Sequence, residues 1–213
     1  HATGAPGRAP SQRVVGQLTT LGFLSGSRIG TVRAFERTQL QASTDSLTGL
    51  LNRRSLEARV HRMPAGTPYA VAVADLDGFK RLNDTFGHDT GDRVLRLFAD
   101  LLRRLVPAGQ HASRWGGEEF VIVIVGRDVS AAFELAERVR HELPSVCELN
   151  HLPQVTVSVG VADHTMGATF EDVVRVGDDA LYRSKEGGRN RTSVGRPLEV
   201  GSAVPRRDPD QSA

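Results

Sequence analysis

Residues 113–125 read SRWGGEEFVIVIV, and the rest of the fold is arranged around this stretch. The two glycines predict a two-residue hairpin turn with positive φ at both 116 and 117, because such turns favour residues without a Cβ. Residues 120–125 are apolar on both faces of a strand, which is typical of a strand covered on both sides. The sequence therefore predicts a β-hairpin whose outgoing strand is central in a sheet.

Periodic segments flank this hairpin on both sides. Apolar runs predict further strands at 69–76, 155–162 and 191–194. Apolar residues three and four apart predict helices at 54–63, 89–105, 131–143 and 170–186, with another that begins near Phe79. The order α-β-α-α-β-β-α-β-α-β predicts an α+β fold with one mixed central β-sheet flanked by helices.

Composition places the chain among ordinary globular proteins: of its 213 residues, 24% are charged and 39% hydrophobic. The net charge of +2 is too small for the electrostatic footprint of a nucleic-acid binder. A single cysteine, Cys147, excludes an internal disulfide and fits a reducing compartment. No apolar run approaches the ~20 residues of a membrane helix. We therefore expect a cytoplasmic protein with no nucleic-acid partner and no membrane segment in this sequence.

The chain divides by composition into four parts. Residues 1–11 and 197–213 are rich in Pro, Gly and Ala, and we expect flexible ends there. Residues 12–44 contain four glycines and then a helical pattern, which predicts a helical stalk or the end of an upstream module. A simple N-terminal helix fits that pattern equally well, and a start at His rather than Met leaves room for an upstream anchor. The compact domain is predicted at 45–196.

Three acidic residues, Asp75, Glu118 and Glu119, are candidates for metal binding. Asp75 ends an otherwise uncharged strand, with Asp77 two positions on, and Glu118 and Glu119 follow the glycines of the hairpin. If the two strands are neighbours, these oxygens form the kind of site that Mg²⁺ prefers, and two such ions can support phosphoryl or nucleotidyl transfer. From the residues alone, Asp75 also fits a helix cap and the GGEE segment a solvated turn.

Five segments together resemble the diguanylate cyclase (GGDEF) family, in the same order and with similar spacing. They span roughly residues 43–195 and read STDSLTGLLNRR, VAVADLDGFKRLNDTFGHDTGDRVL, SRWGGEEFVIVI, VTVSVGVA and ALYRSKEGGRN. The resemblance implies a fold related to the palm of nucleic-acid polymerases and to class III nucleotide cyclases. It also implies that two GTP molecules are joined into cyclic di-GMP with release of two pyrophosphates. GGEEF replaces GGDEF here, and the longer Glu keeps the carboxylate.

The resemblance also assigns the metal ligands and the catalytic acids. Asp75, the backbone carbonyl of Leu76 and Glu118 match the metal ligands. Glu118 further matches the proton acceptor, and Glu119 matches the acid that follows it. The implied cofactor is a pair of Mg²⁺ ions in each active site, which Mn²⁺ can replace.

Asn83 and Asp92 match the residues of the family that read guanine. Guanine presents N1 and N2 donors to a carboxylate, and an asparagine amide can both donate and accept. Adenine lacks that donor pair, so a site built on these bonds rejects it. Without the resemblance, the two residues also fit an ordinary turn between helices.

Lys80, Lys185 and Arg189 match the positions that contact phosphate, and Lys80 is counted among the catalytic residues with the two glutamates. Gly116 and Gly117 leave room for the substrate to approach the backbone. Lys185 and Arg189 are four apart, but a Gly-Gly pair ends the helix between them, so their spacing does not show that they converge. Basic residues also suit the C-terminal end of a helix on electrostatic grounds alone.

Two positions depart from the family pattern. Residues 107–110 read PAGQ where many members carry an RxxD inhibitory site, so we expect no strong product inhibition through that site. Tight noncompetitive inhibition in a product titration would contradict this expectation. Gly78 stands where the family usually has a bulky residue, so we expect the packing near the nucleotide to differ from the family pattern.

The resulting hypothesis is a diguanylate cyclase domain that binds one GTP and acts as a homodimer, with a sensory domain upstream. The first alternative is a catalytically silent domain that binds GTP or signals by contact. Another nucleotidyl cyclase or polymerase-like transferase is the second, and the guanine-reading pair and the lack of a basic, aromatic-lined groove disfavour it.

Overall fold

The computed structural model describes residues 43–197. The strands are β1 (Leu51–Asn52), β2 (Tyr69–Leu76), β3 (His111–Gly116), β4 (Glu119–Val125), β5 (Val157–Asp163) and β6 (Thr192–Val194). The helices are α1 (Arg53–Val60), α2 (Phe79–Phe86), α3 (His88–Leu105), α4 (Val129–Leu149) and α5 (Phe170–Glu186). The predicted order is confirmed, with the two-residue β1 added before α1. The predicted flexible ends, apart from residue 197, and nearly all of the predicted stalk lie outside the described residues.

The strands form one sheet in the order β1-β3-β4-β2-β5-β6. β2 pairs antiparallel with β4 and with β5, and β3 pairs antiparallel with β4. The outer pairs β1 with β3 and β5 with β6 are parallel. The prediction of a mixed sheet is therefore confirmed, and β4 is an inner strand as expected.

Helices cover both faces of the sheet, which explains why the inner strands lack polar alternation. On one face, β2 and β4 pack against α2, α3 and α4, where the rings of Phe98 and Phe120 meet edge to face at 4.8 Å. On the other face, Val71 and Val73 of β2 pack with residues of α1 and α5. Within residues 43–197, no helix has both the length and the apolar character to cross a membrane.

Helix α5 lies unusually close to the sheet where two glycines face each other. A Cβ on Gly160 of β5 would be 2.0 Å from the carbonyl oxygen of Gly177 and 2.2 Å from the amide nitrogen of Leu181. Only glycine permits this approach, because the opposing atoms belong to the helix backbone. The contact fixes α5 against β5 and so determines where the end of α5 lies.

Four predicted boundaries differ by two residues or more, among them the end of α1, at Val60 rather than 63, and the start of α4, at Val129 rather than 131. Helix α4 was expected to end at residue 143, directly before Pro144, and proline usually interrupts a helix. Instead α4 continues through Pro144 to Leu149, and buried Cys147 lies in its last turns. The fifth strand begins at Val157 rather than at 155.

Candidate active site

Asp75 lies near one end of the sheet, between two neighbouring strands. Across β4 it is paired with Glu119, and across β5 with Ser158. Only 6% of Asp75 is exposed. The predicted neighbourhood of Asp75 and the hairpin acids is therefore present in the sheet.

The hairpin turn consists of Gly117 and Glu118, one residue later than predicted. Gly117 has φ 40°, whereas Gly116 ends β3 and has no positive φ, so the prediction of positive φ at both glycines is wrong. The reason is a β-bulge: Arg114 pairs with Phe120 and Gly116 with Glu119, which leaves Trp115 between them as an extra residue. The guanidinium of Arg114 donates to the Gly117 carbonyl at 2.8 and 2.7 Å and closes the turn.

The turn lies directly beside the end of β2. The Leu76 N–H donates to the Glu118 carbonyl at 3.4 Å. In a strand, the N–H and C=O of one residue point to the same side, so the Leu76 carbonyl also faces this turn. The backbone thus brings Asp75, Leu76 and Glu118 to one place.

The carboxylates at this place are electrostatically unfavourable. Burial raises the pKa of Asp75, Glu118 and Glu119, and repulsion from Asp75 further raises the pKa of both glutamates. The ammonium of Lys185 opposes this effect, since its Nζ lies 2.9 Å from Asp75 Oδ2. Such a cluster favours a bound cation, because a positive charge relieves both the burial and the repulsion.

The donor set fits a hard divalent cation, although a complete site is not preformed. Within the described residues, no three acidic, histidine or cysteine side chains converge as a metal site, and Asp75 pairs with Lys185 instead. Two carboxylates and a backbone carbonyl are nevertheless the ligands that Mg²⁺ accepts, with water and phosphate oxygens completing its shell. The choice of Asp75, Leu76 and Glu118 as ligands stays a prediction.

The predicted guanine readers lie on the two helices that follow β2. Asn83 is on α2, and its Oδ1 is buried without a hydrogen-bond partner in the described part of the chain. Asp92 is on α3 and forms a 3.6 Å ion pair with Arg96. A buried acceptor without a donor is costly, so Asn83 suits a ligand that brings an N–H group. An ordinary interhelical turn would leave this acceptor unexplained.

The structure brings one of the three predicted phosphate contacts to the acidic cluster. Lys185, in the last turn of α5, reaches Asp75, so it does more than suit the helix end. Lys80 is exposed in the first turn of α2, and Arg189 is exposed after α5; neither forms an ion pair within residues 43–197. Gly78, the departure from the family pattern, precedes α2 with φ 68°, which glycine adopts without strain.

Sequence reasoning missed Asp178 on α5. Burial raises its own pKa, and its charge contributes to the raised pKa of Asp75 and of Glu119. Asp178 precedes Lys185 by seven residues, two helical turns, which places both on one face of α5. That spacing is a signal that could have added Asp178 to the cluster.

Comparison with known proteins identifies the family to which this fold and this site belong. Residues 42–191 match the family described as "Diguanylate cyclase, GGDEF domain". The chain belongs to the GGDEF family.

Several characterised proteins are similar to it. The diguanylate cyclase DgcM of Escherichia coli K12 is 37% identical over 164 residues, which cover 75% of this chain and 40% of DgcM. The response regulator PleD of Caulobacter vibrioides is 40% identical over 159 residues, which cover 70% of this chain and 35% of PleD. The chain therefore spans well under half the length of these relatives.

Solved structures agree with the sequence comparison. The coiled coil and GGDEF domain of DgcB from Caulobacter crescentus, in complex with c-di-GMP, superposes with a TM-score of 0.74 at 31% identity, over 84% of this chain and 99% of that one. The active GGEEF domain of a diguanylate cyclase from Vibrio cholerae gives 0.62 at 35% identity, over 70% and 99%. The predicted fold class is confirmed.

Proposed function

We propose that this domain is the catalytic part of a cytoplasmic diguanylate cyclase, which condenses two GTP molecules into cyclic di-GMP and two pyrophosphates. The observation that carries the proposal is the acidic cluster of Asp75, Glu118 and Glu119 beside Lys185, at the end of a GGDEF-family sheet. Family membership and the names of the relatives support the same activity.

The residues of this chain divide the work of substrate binding. Asn83 and Asp92 bind the guanine edge, and the orphaned Asn83 Oδ1 supports this role. Lys80, Lys185 and Arg189 hold the triphosphate. These contacts fix the reacting groups relative to each other, which is the main source of catalysis in phosphoryl transfer.

Glu118 accepts the proton of the attacking 3′-hydroxyl. Its position in the hairpin turn, beside the end of β2 where Asp75 lies, supports this role. Asp75, Glu118 and the Leu76 carbonyl would hold a pair of Mg²⁺ ions, for which Mn²⁺ can substitute. When bound, such ions neutralise phosphate charge and ease ionisation of the attacking hydroxyl.

The product requires two copies of the domain. Each copy binds one GTP, and two copies face each other so that each 3′-hydroxyl reaches the α-phosphorus of the other nucleotide. We therefore propose a homodimer as the active form, with an upstream sensory domain that sets the dimer geometry. The greater length of DgcM and PleD supports such a domain.

Incubation with GTP or ATP in the presence of Mg²⁺, followed by chromatography, tests the proposal. We expect cyclic di-GMP from GTP alone and a loss of at least ~100-fold in kcat for Glu118→Gln. Glu148→Gln, an exposed glutamate near the end of α4, is the matched control and should keep full activity. Turnover that survives in Glu118→Gln would eliminate the proposed site.

A silent GTP-binding domain is the second candidate, and the Asp75–Lys185 pair favours it because this pair occupies a proposed metal ligand. The two candidates differ in one result, since a silent domain binds GTP but forms no cyclic di-GMP.

The absence of charge at residues 107–110 leads to an expectation about product inhibition. Added product should not inhibit the enzyme tightly through this segment, and a product titration measures this.

A further inference from the structure

Asp77 has no part in the proposed chemistry, yet its carboxylate accepts three hydrogen bonds. The Thr156 hydroxyl donates to Oδ2 at 2.7 Å, and the Ser158 hydroxyl donates to Oδ1 at 2.7 Å. The backbone N–H of Asn190 donates to Oδ2 at 3.1 Å. Since a carboxylate only accepts, three donors use most of its capacity. Asp77 is thus committed to holding other parts of the chain, unlike Asp75.

The third donor belongs to a strained turn that follows α5. Arg189 and Asn190 have φ 62° and 45°, in the left-handed region that residues with a Cβ rarely adopt. Strain of this kind persists only where surrounding contacts impose it, and it is concentrated at functional sites. Here the contacts are Asp77 on the Asn190 N–H and Arg140 of α4, which donates to Asn190 Oδ1 at 3.3 Å.

The turn begins where the proposed phosphate contacts lie. The Arg189 N–H donates to the Ser184 carbonyl at 3.0 Å, so the turn is tied directly to the last turn of α5. Lys185 lies between these two residues, and its Nζ is 2.9 Å from Asp75. A change in the backbone at Asn190 would therefore move Arg189 and loosen Lys185.

We propose that Asp77 is a positioning residue for the triphosphate. By holding the Asn190 backbone it keeps the turn left-handed, and the turn sets where Lys185 and Arg189 meet the phosphates. This inference rests on the proposed function, because it assumes that these two side chains bind GTP.

Two variants of Asp77 separate its hydrogen bonds from its charge. Asp77→Ala removes the acceptor and leaves the Asn190 N–H free to turn away. Asp77→Asn keeps one oxygen for that N–H, while its amide can donate to the Ser158 hydroxyl, which is able to rotate and accept. We therefore expect Asp77→Asn to restore most of what Asp77→Ala loses.

Asp163→Ala is the matched control. Asp163 is another buried carboxylate of the same sheet, and it accepts from the Thr165 N–H at 3.0 Å and the Val129 N–H at 3.2 Å. It lies at the other end of β5, opposite Ala70, away from the acidic cluster. Its loss should lower stability without changing nucleotide binding.

Two measurements test the inference. Amide hydrogen exchange without nucleotide should be at least ~10-fold faster at residues 188–191 in Asp77→Ala than in the wild type or in Asp163→Ala. The dissociation constant of a non-hydrolysable GTP analogue should rise ~10-fold in Asp77→Ala, while that of guanosine changes less than ~2-fold. Asp77→Asn should lie near the wild type in both.

Each result decides one point. If the wild type does not bind the GTP analogue, the proposed function is wrong and this inference falls with it. If the wild type binds but Asp77→Ala shows unchanged exchange, or loses guanosine and the analogue equally, the positioning role alone is overturned. If Asp77→Ala does not fold, Asp77→Ser, whose shorter side chain does not reach the Asn190 N–H, is compared with Asp163→Ser by the same two measurements. A selective weakening of the analogue in Asp77→Ser supports the role, whereas equal binding in the two overturns it.

Discussion

Replacing Gly91 with alanine should weaken GTP binding without destabilising the domain. Gly91 lies in the first turn of α3, against the side chain of Asn83. A Cβ there would be 1.9 Å from Asn83 Oδ1 and 3.1 Å from Phe79 Cζ. Real Cβ contacts do not fall below 3.0 Å, so the Asn83 amide must move by more than 1 Å. The phenylalanine ring needs to shift by only a few tenths of an ångström.

The substitution should have opposite effects on the stability of the domain and on its affinity for GTP. Alanine in place of glycine within a helix stabilises it by up to ~1 kcal/mol. Moving the Asn83 amide breaks no hydrogen bond at Oδ1, because this atom has no partner among residues 43–197. The free energy of unfolding should therefore change by between ~0 and +1 kcal/mol. Loss of one neutral hydrogen bond to guanine costs ~0.5–1.5 kcal/mol, which corresponds to a ~2- to 13-fold higher dissociation constant.

Urea unfolding and calorimetric titration with a GTP analogue measure both quantities. Asn83→Ala should weaken binding to a similar extent, and Gly91→Ala should add nothing in the Asn83→Ala background, since both changes remove the same contact. The reasoning is refuted if Gly91→Ala destabilises the fold by more than ~1 kcal/mol with unchanged affinity. It is also refuted if Gly91→Ala weakens binding further in the Asn83→Ala background.

Three further predictions concern stability, measured by urea unfolding. Gly160→Ala should lower the free energy of unfolding by ~3 kcal/mol or more, because the added Cβ would clash with the backbone of Gly177, which cannot rotate away. A loss of stability below ~1 kcal/mol would contradict this prediction. Glu119→Gln should raise stability by at most ~1 kcal/mol near pH 8, because burial and then a neighbouring carboxylate raise the pKa of Glu119. A carboxyl whose pKa is raised in the folded state destabilises the protein as the pH rises through that pKa. The stability gained by Glu119→Gln should therefore vanish near pH 4, and a larger gain at that pH would contradict the prediction. Glu137→Ala should lower the free energy of unfolding by ~1–2 kcal/mol at pH 7, because hydrogen bonds from Arg140 hold the pKa of Glu137 at about 2. This loss of stability should become smaller as the pH falls from 4.5 towards 2. A loss that does not change with pH would exclude this cause.

The sequence predicts most of the fold because local patterns determine most of it. The apolar runs of β2 and β4 and the helical periodicity of α3 and α5 identify these elements directly. The end of α4 was misplaced because a proline is a strong local signal, while the packing that overrides it around buried Cys147 is not local. The hairpin turn was misplaced by one residue because a bulge at Trp115 depends on the partner strand.

The candidate site likewise has a part that local sequence patterns predict and a part that they do not. Glycines and acids in the GGEEF segment locate the cluster, but its electrostatics depend on Lys185 and Asp178, which come from a helix far along the chain. The contact between Asp77 and Asn190 joins residues 113 positions apart. Asn190 also has a positive φ, and because this residue is not a glycine, the sequence does not indicate such a backbone conformation there. Such contacts follow from the packing of the whole domain, so sequence patterns do not reveal them.

The sheet has short outer strands, and this limits how the domain can associate. Within residues 43–197, the two margins are β1, with two residues, and β6, with three. Margins this short expose few unpaired backbone groups, so another chain gains little by extending the sheet. The homodimer proposed above would therefore be held by side chains on loops and helices rather than by an extended sheet. Contacts of that kind can form and separate without disturbing the hydrogen-bonded framework of either copy.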